Sequence, residues 1–137
     1  MTPMFKRAAA AVALAASVGL ASAATVHVKL SGTQEVPAVK TSATAEAVIT
    51  VLPNRSVSGT VTLHGVRATM AHIHLGAPGK NGPPIVFLKR GPHDTWRVPA
   101  GSKLTSAQYK GFLAGDLYLN VHTARHPAGE LRGQIKP

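Results

Sequence analysis

Apolar and polar side chains alternate with a period of two through most of residues 24–137, the pattern of half-buried β-strands. Val26, Val28 and Leu30 alternate with His27 and Lys29. Ala45, Ala47, Ile49 and Val51 alternate with Glu46 and Thr50, and Val48 interrupts that polar face. A turn at Pro53-Asn54 leads to Val57, Val61 and Leu63, which alternate with Ser58, Thr60, Thr62 and His64. These two segments read as an antiparallel hairpin. In residues 70–75, Ala71, Ile73 and Leu75 share one strand face, and Met70, His72 and His74 share the other.

Residues 76–84 hold too many Gly and Pro for regular structure and read as a loop. A short apolar strand is expected over 85–88. A second loop is expected over 91–101, carrying His93, Asp94 and the single Trp, Trp96. One short helix is predicted near 106–114, with Thr105 as N-cap and Gly115 at the C-terminal cap, although Gly111 weakens its interior. Leu117, Leu119 and Val121 then alternate with Tyr118, Asn120 and His122. A turn over 127–129 joins them to Leu131, Gly133 and Ile135, which alternate with Glu130, Arg132 and Gln134. Short strands with frequent turns and one helix predict an all-β fold, an antiparallel sandwich or flattened barrel.

The N-terminus breaks the pattern. Lys6 and Arg7 precede an apolar run of small residues over 8–20, and Ala21-Ser22-Ala23 has the small-x-small form of a signal-peptidase site. Residues 1–23 therefore read as a secretory signal peptide and 24–137 as one domain, periplasmic or secreted. The apolar run is short for a membrane span, so no integral membrane segment is expected after cleavage. The chain contains no Cys. Disulfides, thiolate zinc sites, blue copper and Cys nucleophiles are thereby excluded. Lys and Arg number 15 against 5 Asp and Glu. The cations are scattered, with Lys89-Arg90 the one adjacent pair outside the leader, and aromatic residues are few. A basic surface without a concentrated patch or stacking platform does not predict nucleic-acid binding.

The chemistry resides in the histidines. His72 and His74 must point the same way on their strand, and His122 lies on the same design of strand downstream. If the two strands are neighbours, His122 is expected opposite His72 or His74, close enough for one ion. Three neutral imidazoles suit Cu(II) or Zn(II), and the Irving–Williams order favours copper, with zinc the alternative. A fourth position would remain, with His126 and Tyr118 as candidates and His64 a distant third. Met70, on the face of His72, offers a thioether that would favour Cu(I). The alternative is that these histidines sit on a solvated strand face and bind nothing, as expected for His27, His64 and His93. Glu130 and Arg132 read as a surface ion pair, and Glu35 with Glu130 as a weaker acid/base candidate. No nucleophile elbow, phosphate loop or dinucleotide fingerprint is present, and no catalytic residue is assigned.

Several blocks resemble the CHRD (chordin-type) domain. They begin with Leu30-Ser31-Gly32-Thr33-Gln34-Glu35-Val36-Pro37 and continue with Ala71-His72-Ile73-His74-Leu75-Gly76 and Gly79-Lys80-Asn81-Gly82-Pro83. They end with Leu113-Ala114-Gly115-Asp116-Leu117-Tyr118-Leu119-Asn120-Val121-His122-Thr123 and Pro127-Ala128-Gly129-Glu130-Leu131-Arg132-Gly133-Gln134-Ile135. Ala38 stands where the family usually has a second Pro. The resemblance, to a bacterial single-domain form, implies a secreted Greek-key, immunoglobulin-like β-sandwich or barrel; in animals such domains occur in an extracellular growth-factor antagonist. Locally, the His-x-His strand is similar to the copper strand of Cu/Zn superoxide dismutases, whose remaining ligands have no counterpart here. Four functional expectations follow. The first is an exported copper-binding protein for storage, buffering or resistance. The others are a metal-free extracellular binding module, a copper-dependent redox enzyme of dismutase type, and an envelope protein whose histidines are incidental. A binding protein is favoured over an enzyme.

Overall fold

The computed structural model describes residues 1, 3–4, 8–15 and 21–137. Lys6, Arg7 and residues 16–20 of the expected signal peptide lie outside the described residues. Among the described residues, no helix is long and apolar enough to cross a membrane.

Nine strands among the described residues form two antiparallel sheets stacked as a sandwich, and one α-helix lies between two of those strands in the chain. The first sheet joins β1 (Ala24–Leu30), β2 (Thr44–Val51), β3 (Val57–His64), β7 (Thr95–Arg97) and β6 (Lys89–Arg90) in that spatial order. The second joins β5 (Pro84–Phe87), β4 (Met70–Leu75), β8 (Leu117–His122) and β9 (Leu131–Ile135). The strand period sorts the side chains: Val26, Val28, Leu30, Ile49, Val51 and Val61 of one sheet meet Ala71, Ile73, Leu117, Leu119, Val121 and Ile135 of the other in one buried core. Ile73 and Leu119 are fully excluded from solvent, and each burial contributes roughly 1.5–3 kcal/mol.

The sheets touch along one side, so the sandwich is not a closed barrel. Ser31 and Arg132 exchange two backbone hydrogen bonds of 3.0 Å between the end of β1 and β9. Gly133 makes that approach possible, because a Cβ there would lie 2.6 Å from Val28 Cγ1 and 2.8 Å from the Lys29 carbonyl.

The β2–β3 hairpin runs in register from Thr44 opposite His64 to Val51 opposite Val57, as the alternation predicts. The helix α1 (Ser106–Ala114) has a complete capping box, in which Thr105 Oγ1 accepts from Gln108 N and Gln108 Oε1 accepts from Thr105 N. Gly115 closes it in the left-handed region at φ 79°, where a side chain would be strained. The expectation for 91–101 needs correction. That segment is not all loop, since Trp96 is buried opposite Val61 and forms the centre of β7. Three residues between breakers are too few for a period of two to stand out. The short apolar strand also begins one residue earlier than expected, at Pro84.

Candidate metal centre

β4 and β8 are hydrogen-bonded neighbours, with Met70 opposite His122, His72 opposite Asn120 and His74 opposite Tyr118. Ala71, Ile73, Leu119 and Val121 face the core, which commits the alternate residues to the outer face of the second sheet. His122 therefore stands across from Met70 rather than from His72 or His74. The three histidines nevertheless converge. One ring nitrogen from each of His72, His74 and His122 lies within 4.8 Å of the others. His122 reaches diagonally, placing its Nε2 3.1 Å from His72 Nδ1. Two nitrogens sharing a tetrahedral ion with bonds near 2.0 Å would be about 3.3 Å apart.

The histidine face is not solvated. His72, His74 and His122 are 6%, 8% and 9% exposed, so they lie beneath covering chain rather than on the open surface. Three pieces of chain cover them. The Phe87 ring stands edge-on to His72 at 4.7 Å between centroids. Strand β5 carries Phe87 there, and its register with β4 shifts between Ile73 and His74; such a bulge re-aims neighbouring side chains. The 76–84 loop covers His74, and the turn after β8 covers His122.

Backbone carbonyls set the tautomers. His74 Nδ1 lies 2.9 Å from Gly82 O, and His122 Nδ1 lies 2.9 Å from Pro127 O. A carbonyl only accepts, so each Nδ1 carries the proton and each Nε2 presents a lone pair to the interior. A carbonyl bound to the far nitrogen of the ring is the arrangement that orients histidines where they do bind metal. Gly82 fits its place for want of a side chain, since a Cβ there would run into the Leu75 carbonyl. Among the described residues, His74 Nε2 is a buried polar atom with no hydrogen-bond partner, a condition that costs about 1–3 kcal/mol.

Burial favours the neutral form of two of the three rings. Burial, then the neighbouring His122 and His74, pulls the His72 pKa from 6.5 down to about 4. Burial likewise lowers that of His74, against the opposing hydrogen bond to Gly82. Neutral imidazoles are the form that binds metal.

The other candidate ligands sit differently. Tyr118 stacks on His74, with ring centroids 4.7 Å apart and planes 10° from parallel. Its hydroxyl donates to Gly82 O at 3.2 Å and accepts from Gly82 N at 3.0 Å, so it braces the loop. His126 is half-buried and lines a cleft of about 240 Å³ with Glu35, Pro37 and Pro127, outside the converging trio. His64 is exposed on the first sheet, 3.3 Å from Glu46. Met70 is on the histidine face and 48% exposed.

Beside the histidines lies a buried polar layer. Glu130 and Arg132, expected as a surface ion pair, are both buried and bind other groups. Glu130 accepts from Thr41 and Thr123 at 2.8 Å each. Arg132 lies over the Tyr118 ring, 3.6 Å from its centroid, and donates to Ala77 O at 3.1 Å. Arg132, Tyr118 and His74 thus form one stack that holds the His74 ring in place. Glu35 accepts from Asn120 Nδ2. Burial raises the Glu35 pKa from 4.5 to about 7, against the lowering effects of Arg132 and Asn120. Asn120 was discoverable from the sequence, because it occupies the same-face position between Tyr118 and His122. The carbonyls of Gly82 and Pro127 and the covering role of Phe87 carry no side-chain signature.

No curated protein and no solved structure matches the chain. The family model of the CHRD domain matches residues 26–135, from β1 through β9 and including all three histidines, and the chain belongs to that family.

Proposed function

We propose that this protein binds copper through His72, His74 and His122 and holds it outside the cytoplasm for storage, buffering or resistance. The observation that carries the reading is the orphaned His74 Nε2, a buried lone pair on a ring that converges with two other imidazoles. A buried polar atom without a partner calls for a ligand, and a cluster of neutral nitrogen donors calls for a borderline cation. Imidazoles suit copper and zinc alike, and copper stands above zinc in affinity for such donors. The trio includes no carboxylate, so hard cations such as calcium and magnesium are poorly matched. Export rests on residues 1–23 as a signal peptide, and β1 begins at Ala24, the first residue after the expected cleavage point.

Calorimetric titration of Cu(II) and Zn(II) into the protein tests this. We expect one tight copper site, weaker zinc, and loss of both when all three histidines become Ala. Equal copper binding by that variant would end the reading.

A further inference from the structure

We infer that Met70 is a fourth ligand that joins the centre when the bound ion is Cu(I), an inference that rests on the copper reading above. Three observations lead to it. The first is position. Met70 stands directly across the ladder from His122 and two residues before His72 on the same face. Opposed Cβ atoms are about 4.5–5.5 Å apart, and a methionine spans that range with three rotatable bonds. His122 leans toward His72, so an ion held by those two rings would lie next to the rung of the ladder that carries Met70.

The second is that the competing donors are committed elsewhere. The Tyr118 hydroxyl is bound in both directions to Gly82, and His126 faces the Glu35 cleft. The third is composition. The chain has no Cys and three Met, of which Met1 and Met4 precede the sandwich. Met70 is thus the one sulfur atom between residues 24 and 137. It lies outside the hydrophobic core, half-exposed beside the histidines.

A thioether is a soft donor that favours Cu(I) and adds little for Zn(II) or Cu(II). Met70 would let one site accept copper in either oxidation state, with three nitrogens for Cu(II) and an added sulfur for Cu(I).

The test is X-ray absorption at the copper edge on the full chain loaded anaerobically with Cu(I), for wild type and Met70→Leu, with affinities for Cu(I), Cu(II) and Zn(II). The exposed position and similar volume make Leu compatible with folding, which circular dichroism checks. We expect a sulfur scatterer in wild type that disappears in Met70→Leu. Cu(I) affinity should fall by about tenfold or more, the scale of a lost supporting interaction at a metal site. Cu(II) and Zn(II) affinities should change less than about twofold. A nitrogen-only Cu(I) spectrum in wild type, sulfur that persists in Met70→Leu, or unchanged Cu(I) affinity would overturn the inference. In those cases histidine-dependent Cu(II) binding would leave the three-histidine site standing. Failure to bind copper in either state would remove both.

Discussion

His122 Nε2 lies 3.1 Å from His72 Nδ1 although the two residues are not cross-strand partners. The diagonal contact follows from the Pro127 carbonyl, which holds the other side of the His122 ring and turns it along the strand. Because that bond fixes the proton on His122 Nδ1, its Nε2 can only accept. In the metal-free protein His72 Nδ1 must then be the donor. To offer an ion the Nδ1 lone pair beside that of His122, His72 would shift to its other neutral tautomer, the proton leaving Nδ1 and a proton being taken up at Nε2, with no net release.

The first prediction separates the converging rings from the neighbouring one. His72→Ala or His122→Ala should lower copper affinity by more than about 100-fold, beyond the range of a supporting residue. His126→Ala should change it by less than about threefold. Comparable losses in all three variants, measured by competition with a chelator, would show that the ligand set is different.

Tyr118→Phe preserves the stack on His74 and removes the hydroxyl that pins Gly82. It should cost about 1 kcal/mol in stability and roughly tenfold or more in copper affinity, since Gly82 O is what orients His74. Denaturant midpoints and copper titrations of the same samples check both numbers. A stability loss without an affinity loss would leave the tyrosine a purely structural role.

The pH dependence of the metal-free protein contains two opposed contributions. His72 has its pKa lowered from 6.5 to about 4. Between those values the unfolded chain binds the extra proton, so His72 makes the fold less stable as pH falls. Glu35 is raised from 4.5 to about 7. Between those values the folded chain binds the extra proton, so Glu35 makes the fold less stable as pH rises. The two offset each other where the windows overlap. Glu35→Gln should therefore make the melting temperature fall more steeply between pH 6.5 and 4.5 than it does in wild type. Parallel curves would show that Glu35 does not hold its proton in the folded state.

Copper uptake should release few protons in mildly acidic solution. At pH 6 His72 is already neutral and burial also holds His74 toward the neutral form. Binding should displace on the order of one proton or fewer. Calorimetry in buffers of different ionisation enthalpy counts them, and a value approaching three would mean that the rings are charged before the metal arrives.

Much of this was legible in the sequence, and the limits have physical causes. Period two identified β2, β3, β4, β8 and β9, because each sends a continuous apolar row to the core. It also placed Met70, His72 and His74 on one face. It failed at Trp96, where a three-residue strand is shorter than the pattern needed to recognise it. It left open whether the histidine face is wet, because burial there comes from Phe87 and two loops whose residues read as breakers. The diagonal reach of His122 was hidden for a related reason. Register gives the partner across the ladder, whereas ring direction is set by the Pro127 carbonyl, a backbone atom common to every residue type.

An ion shared by His72 and His122 would join positions 50 apart in the chain. Loop-closure entropy assigns a cross-link of that span roughly 4 kcal/mol, comparable to a disulfide in a chain that has no cysteine to make one. Thiol reductants would leave such a staple intact, whereas chelators or strong acid would open it. The durability of the sandwich would then track the copper supply of its surroundings.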